Sequence, residues 1–176
     1  SVYGKIDYTK LRPSHATIYA QNYQGLRNLY ELISDSHLNH FYRQPLMLKS
    51  LIKEKRDGLI IGSACSSGEL FNAIQRNKTG EEIDKILDFY DFIEIMPLDN
   101  LKYLVESGEI KTFEELKNIN KKLVDLGNQS GKLVVATGDV HTLDAHERLY
   151  RSVLKYSQIP KYKKDIESLH FRTTDE

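Results

Sequence analysis

The segment GDVH pairs a carboxylate with an imidazole directly after an apolar β-type run, KLVVAT at residues 132–137. Asp139 and His141 are two residues apart, so an extended backbone would place both side chains on the same face. Imidazole nitrogen and carboxylate oxygen together suit zinc, manganese or iron. A capped turn with a hydrogen-bonded histidine is the structural alternative, because D-x-H is a short and common pattern.

Cys65 lies where the run GLIIGSA at residues 58–64 gives way to a turn of small residues before a predicted helix. A thiolate at this position could bind a metal. The Ser-rich turn between Gly62 and Gly68 could instead bind an anion such as phosphate through its backbone N–H groups. The commoner alternative is a buried free cysteine that packs as a small apolar side chain.

Other polar residues carry weaker signals. His15 opens the first β-type run, and its residue type alone favours a structural role. His37 and His40 have a spacing that permits shared ligation, but the segment FYRQP that follows them is typical of an exposed loop. Glu94 lies inside the run FIEIM, where an unpaired buried carboxylate is costly, so it predicts either a polar site or a sheet edge.

Four β-type runs must position these side chains, and they lie at residues 15–20, 58–64, 92–96 and 132–137. Most of them are apolar with little alternation, as expected of parallel strands covered on both faces. The connections exceed a dozen residues, which parallel pairing requires. Ligands of β/α folds gather at the carboxyl ends of the strands, where GDVH and Cys65 lie.

Segments of helical period separate these runs. The apolar spacing predicts helices over residues 24–36, 46–55, 69–76, 80–90, 113–128 and 145–157. Capping-box signals precede three of them, at Thr79 with Glu82, Thr112 with Glu115 and Asp144 with Glu147. The basic run KYKK at residues 161–164 predicts a solvated connector. Strands that alternate with helices predict an α/β architecture in a single domain.

Composition excludes several classes of protein. The 176 residues carry 25 Lys and Arg against 25 Asp and Glu, and 40% are hydrophobic, as in an ordinary folded domain. A net charge of zero provides no cationic field for unaided binding to nucleic acid. One cysteine forms no internal disulfide, and no apolar run approaches the length of a membrane span. We therefore expect a cytoplasmic protein that is neither secreted nor embedded in a membrane.

Five segments span almost the whole chain: SHATIYAQNYQGLRNLYELISDSHLNHFYRQP, GLIIGSACSSGEL, FYDFIEIMPLDN, VVATGDVH and FRTTDE. In this order they resemble blocks of the PHP (polymerase and histidinol phosphatase) domain of the PolC-type DNA polymerase III alpha subunit of low-GC bacteria. The resemblance implies a partial, distorted β/α barrel with about four parallel strands alternating with helices. It also implies that residues 1–176 are the C-terminal portion of a PHP domain, following an inserted 3′–5′ exonuclease in a larger polymerase.

The resemblance implies metal ligands at His15, Cys65, Asp139 and His141, which match the family's ligand positions. The implied cofactor is a divalent metal, zinc or manganese, in the intact domain. The family's opening H-x-H motif does not occur in this sequence. The site in this chain is therefore expected to be incomplete, and its catalytic and substrate-binding residues cannot be named.

Three functions follow from this reasoning. The first is a segment of a replicative DNA-directed DNA polymerase, a nucleotidyltransferase with 3′–5′ proofreading, in which the PHP domain gives structural support and retains phosphoesterase or pyrophosphatase chemistry. The alternative is a stand-alone metal-dependent phosphoesterase of histidinol-phosphatase type, which the missing H-x-H opposes. The third is a structural module without metal. The first predicts the rest of the polymerase chain, DNA and replisome proteins as partners, and an isolated segment that is inactive and self-associates.

Overall fold

The fold is taken from a computed structural model that describes residues 7, 10, 12–158 and 169–173. The predicted connector at residues 161–164 and the last three residues of FRTTDE lie outside the described residues. Within them, no helix is both long and apolar enough to cross a membrane.

Strands and helices alternate along the chain, as the sequence predicts. The strands are β1 (Thr17–Ala20), β2 (Phe41–Tyr42), β3 (Gln44–Pro45), β4 (Leu59–Gly62), β5 (Phe92–Ile95) and β6 (Leu133–Ala136). The α-helices are α1 (Tyr23–Leu38), α2 (Lys49–Glu54), α3 (Glu69–Gln75), α4 (Glu81–Leu87), α5 (Lys102–Glu106), α6 (Phe113–Ser130) and α7 (Arg148–Gln158). Short 3₁₀ helices precede α5 at Leu98–Leu101 and α7 at Ala145–Glu147.

Four strands form one open sheet in the order β1-β4-β5-β6. Strands β4, β5 and β6 are parallel to one another, in agreement with the prediction. Strand β1 is antiparallel to β4, so the prediction of four parallel strands is wrong for this strand. The α/β class and the partial, unclosed barrel are confirmed.

The direction of β1 follows from the path of the chain between β1 and β4. Two helices, α1 and α2, lie on this path with the β2–β3 hairpin between them. The chain therefore enters β4 at the end of the sheet where β1 finished. Gln21 N–H donates to Gly58 O at 2.9 Å, and Ala20 pairs with Leu59 in the register. A single crossover helix would instead have returned the chain to the opposite edge, as parallel pairing requires.

The core lies between the central strands and the helices that follow them. Ile61 of β4 and Ile93 of β5 are fully buried, as are Leu70 of α3 and Leu116 of α6. Helix α6 packs on both β5 and β6 and also contacts α3. Apolar side chains are thus buried from both connections between parallel strands, the one from β4 to β5 and the one from β5 to β6. Such burial is the main favourable term in folding.

Local signals at the helix starts have different outcomes. The capping box predicted at Asp144 and Glu147 is confirmed. Thr112 caps α6 by accepting from Glu115 N–H, as predicted, but the Glu115 carboxylate accepts from Lys111 N–H, so the reciprocal bond of a capping box is not formed there. The prediction for Thr79 is wrong, because α4 begins at Glu81 with Gly80 as its N-cap and no side-chain cap. Gly80 has φ 55°, a conformation that glycine adopts without strain.

Candidate metal centre

All four predicted ligands lie at one edge of the sheet. The carboxyl ends of β4 and β6 meet at this edge because the two strands run in the same direction. Cys65 follows β4, and Asp139 and His141 follow β6. His15 precedes β1, which is antiparallel, so the start of β1 lies at the same edge.

His15 and Cys65 are in contact. The Cys65 Sγ lies 3.4 Å from His15 Nδ1. The backbone holds them there, since His15 N–H donates to Ser67 O at 3.0 Å and His15 forms an isolated β-bridge with Gly68. Cys65 is half-buried and contacts an imidazole, so the alternative of a buried cysteine that packs as a small apolar side chain does not fit its surroundings.

The turn after β4 depends on a close approach at Gly68. A Cβ at this position would lie 2.2 Å from Ser63 O, so no larger residue fits. Gly68 N–H donates to Cys65 O at 2.7 Å and closes the turn. The chain thereby turns back at Cys65, which faces His15.

Asp139 and His141 form a second pair. His141 Nδ1 lies 2.6 Å from Asp139 O and 3.9 Å from Asp139 Oδ2, and both side chains are exposed. Asp139 has φ 46°, a left-handed conformation that is costly for most residues but less so for aspartate. With Nδ1 held by a backbone carbonyl, Nε2 is the nitrogen left for a ligand, an arrangement common for metal-binding histidines.

Contacts between loops link the surroundings of the two pairs. Ser66 Oγ is 2.7 Å from the Tyr103 hydroxyl. Asn100, which is 6% exposed, donates from Nδ2 to Gly138 O at 2.6 Å. No local pattern marks Asn100 and Tyr103, because only the tertiary fold brings the segment after β5 against the turns after β4 and β6.

Glu94 is buried within the sheet, with 9% of its surface exposed. Its Oε1 accepts from Ala64 N–H at 3.0 Å, and its own N–H donates to Ser63 Oγ at 2.9 Å. The expectation of a polar site is therefore met: the carboxylate contacts the turn that carries Cys65.

His37 and His40 do not share a ligand position. His40 Nε2 is 3.2 Å from Asp35 Oδ2, and His37 Nδ1 is 2.8 Å from Ile33 O. Their roles within the described residues are structural, the alternative that the sequence favours.

A cavity of about 560 Å³ adjoins the first pair. Its lining includes cationic and hydroxyl side chains, namely Arg12, Ser66, Ser67, Arg76, Lys78 and Tyr103. The carboxylates of Glu69 and Glu109 also line it. Lys49 Nζ pairs with the Glu69 carboxylate at 2.6 Å, and Lys78 Nζ pairs with Glu82 at 2.8 Å. The volume lies in the range of small-molecule sites, and Arg12 and Arg76 are the lining groups that supply positive charge for an anionic ligand.

The donor sets of both pairs fit a divalent metal. Bond lengths of about 2.3 Å to sulfur and 2.0 Å to nitrogen place two tetrahedral ligands about 3.5 Å apart, close to the 3.4 Å between Cys65 Sγ and His15 Nδ1. Within the part of the chain that the structure describes, however, no group of three or more His, Cys, Asp or Glu side chains is arranged to hold an ion. Among the described residues, the four predicted ligands thus form two separate pairs.

The open β/α sheet is that of a partial barrel. The imidazole, thiol and carboxylate groups at the carboxyl ends of its strands are of the types that bind metals. The PHP domain family model matches residues 3–98, a range that includes β1, β4, His15 and Cys65. The chain belongs to the PHP domain family.

The chain is also similar to bacterial replicative polymerases. It is 46% identical over 172 residues to the PolC-type DNA polymerase III of Bacillus cereus, 45% over 172 residues to that of Listeria monocytogenes and 43% over 171 residues to that of Clostridium perfringens. These matches cover 96–97% of this chain and 12% of each polymerase. The chain therefore spans about an eighth of the length of these relatives.

Proposed function

We propose that this chain is the later portion of the PHP domain of a PolC-type DNA polymerase III, in which the whole protein synthesises DNA and proofreads it with a 3′–5′ exonuclease. One observation carries the proposal: identity of 43–46% extends over nearly all of this chain while covering a short stretch of each relative. On this proposal the protein acts in the cytoplasm as part of the replication machinery.

The metal ligands in this proposal are His15, Cys65, Asp139 and His141. Their support is the thiol–imidazole contact, the orientation of His141 by a backbone carbonyl, and the position of both pairs at one sheet edge. A bound zinc or manganese ion would polarise a phosphoester and activate water. Because the pairs do not close a centre among the described residues, the remaining ligands would come from the preceding portion of the domain.

A stand-alone phosphoesterase of histidinol-phosphatase type is the second candidate. The cavity with cationic and hydroxyl lining favours it, because such groups bind phosphate. The lack of an H-x-H motif and the short share of each relative that the chain covers oppose it. We therefore assign the cavity to the intact PHP domain and expect the 176-residue chain to be inactive alone.

The amphipathic helix α7 identifies a surface for the rest of the polymerase chain. Its apolar side chains Leu149, Tyr150, Val153 and Leu154 are each 59–65% exposed. Apolar groups spaced in this way form one helix face, and an exposed face of this kind marks an interaction site. We assign the remainder of the polymerase as its occupant, because the similar proteins carry most of their length outside this segment.

Metal content tests the proposed site. We expect the 176-residue chain to bind zinc or manganese at least about 10 to 100-fold more weakly than a chain extended by the preceding portion of the PHP domain, because the missing ligands and their supports raise affinity. In the extended chain, Asp139→Asn and His15→Gln should each lower the bound metal measured by elemental analysis. His37→Gln is the matched control, since the described contacts of His37 are with Ile33 O, Ser36 Oγ and Phe41, and none is with a proposed ligand.

Two results would contradict this assignment. Stoichiometric zinc in the 176-residue chain, lost on Cys65→Ser, would show that the four ligands form a complete site. An extended chain that holds metal equally well in both the His15→Gln and Asp139→Asn variants would place the site elsewhere.

A further inference from the structure

Cys65 follows a residue in an unfavourable backbone conformation. Ala64 has φ 57°, in the left-handed region that residues with a Cβ rarely adopt. A conformation of this kind persists only where surrounding contacts impose it. The contacts at Ala64 therefore decide whether the Cys65 side chain faces His15.

The Glu94 carboxylate supplies the contact at this position. Glu94 Oε1 accepts from Ala64 N–H at 3.0 Å from the neighbouring strand β5. Ser63 closes the arrangement, since its Oγ accepts from Glu94 N–H at 2.9 Å. Two hydrogen bonds between Glu94 and consecutive residues thus tie the turn to the buried centre of the sheet.

A glycine on β4, Gly62, leaves space for the Glu94 carboxylate. Glu94 and Phe92 lie on one face of β5, two residues apart, and both extend over Gly62 of β4. A Cβ at Gly62 would lie 2.6 Å from Glu94 Oε1 and 2.3 Å from Phe92 Cζ. Glycine at position 62 is therefore what allows the Glu94 side chain to cross β4 and reach Ala64.

We propose that Glu94 is a positioning residue for the Cys65–His15 pair: its buried carboxylate holds Ala64 in the left-handed conformation that directs the thiol to the imidazole. This inference deepens the proposed function, on which its importance for metal binding rests. The geometric claim itself requires no metal, so the two can fail separately.

The test measures the thiol–imidazole contact by NMR in the metal-free 176-residue chain. Replacing Cys65 by serine should shift the Hε1 and Cε1 signals of His15, because the side chains are in contact. In a Glu94→Ala background that shift should be lost. In a Glu94→Gln background it should persist, because an amide oxygen still accepts from Ala64 N–H.

A second substitution separates positioning from general destabilisation. Glycine adopts φ 57° without strain, so Ala64→Gly in the Glu94→Ala background should restore the His15 shift. Asn120→Ala is the matched control: it removes a half-buried polar side chain whose described hydrogen bond is to backbone, at Met96 O, and not to the turn at residues 63–65. It should lower stability and leave the His15 shift unchanged.

Each outcome is decisive. A His15 shift that persists in folded Glu94→Ala, or that disappears in Glu94→Gln, would overturn the proposal. If Glu94→Ala does not fold, the Ala64→Gly/Glu94→Ala chain decides: recovery of the fold and of the shift supports the proposal, and failure to recover them overturns it. If the 176-residue chain passes these tests but the chain extended by the preceding PHP portion binds no metal, the proposed metal site alone is refuted.

Discussion

At the scale of single residues, two glycines determine how helix α1 meets the sheet. A Cβ at Gly25 would lie 1.8 Å from the carbonyl oxygen of Gly58, and Gly58 has φ 70°. The backbone of α1 therefore approaches the chain just before β4 more closely than any side chain allows. Asn22 adds to this junction by capping α1 through Gly25 N–H at 2.9 Å.

Gly25→Ala should destabilise the chain by about 2 kcal/mol or more, since overpacking against rigid backbone is costly. Urea denaturation followed by circular dichroism measures the change. Gly108→Ala is the control: Gly108 has φ 78° but open space around it, so that variant should lose about 1 kcal/mol for the backbone conformation alone. Equal losses in the two variants would show that α1 does not pack this closely.

At the scale of secondary-structure elements, helix caps differ where the sequence patterns look alike. Thr112 Oγ1 accepts from Glu115 N–H at 3.1 Å, whereas α4 has no side-chain cap. Thr112→Ala should therefore cost about 1 kcal/mol. Thr79→Ala should change stability by less than about 0.5 kcal/mol, as exposed substitutions usually do. A comparable loss at Thr79, measured by thermal unfolding, would mean that α4 begins earlier than the structure shows.

An ion pair joins α1 to the end of α2. A hydrogen bond from Lys55 lowers the pKa of Glu31 below its ordinary 4.5, and the same bond raises the pKa of Lys55 above 10.5. Because the pKa of Glu31 is lowered in the folded state, its stabilisation is present above pH 4.5 and is lost as the pH falls through the folded pKa. Because the pKa of Lys55 is raised, its stabilisation is present below pH 10.5 and is lost as the pH rises through the folded pKa. The ion pair should therefore stabilise the folded state between pH 4.5 and pH 10.5.

A double-mutant cycle with Glu31→Gln and Lys55→Met measures this contribution. The coupling energy should be favourable at pH 7, fall at pH 3 and weaken at high salt, because the pair lies at the surface. The exposed pair of Glu81 and Lys85, 3.6 Å apart, is the control and should show little coupling at either pH. Coupling of Glu31 and Lys55 that is unchanged at pH 3 would contradict the ionic origin.

At the scale of the whole molecule, apolar surface remains exposed on the edge strand β6 and on helix α7. Strand β6 is an edge strand, its Leu133 is 67% exposed, and the apolar face of α7 is exposed as well. Unpaired strand edges and apolar patches favour association between chains.

The 176-residue chain should self-associate with increasing concentration in sedimentation velocity. Leu149→Glu with Val153→Glu should shift it towards monomer by charging the α7 face. Gln substitutions at Lys117 and Lys121, exposed on α6, lower the net charge by the same two units and provide a charge-matched control that should leave association unchanged. A chain extended by the preceding PHP portion should be monomeric if the rest of the polymerase covers this face; persistent oligomers would favour a second copy as its occupant.

The sequence by itself determined most of the elements and the closeness of Asp139 to His141. The order of strands and helices follows from apolar periodicity, which is local, and Asp139 with His141 follows from a two-residue spacing within a single turn. The element bounds agree closely for α6 and β5, where caps and apolar runs coincide. The short hairpin of β2 and β3 and helix α5 were missed, because neither has enough residues to show a period.

Only the tertiary structure decided how distant segments meet. The sequence predicted parallel strands throughout, and a parallel β1 would have placed His15 at the opposite edge from Cys65. The return of the chain through α1 and α2 makes β1 antiparallel and brings His15 Nδ1 within 3.4 Å of Cys65 Sγ. Strand direction depends on the packing of whole helices, which apolar periodicity does not encode, and so this contact could not be read from local pattern.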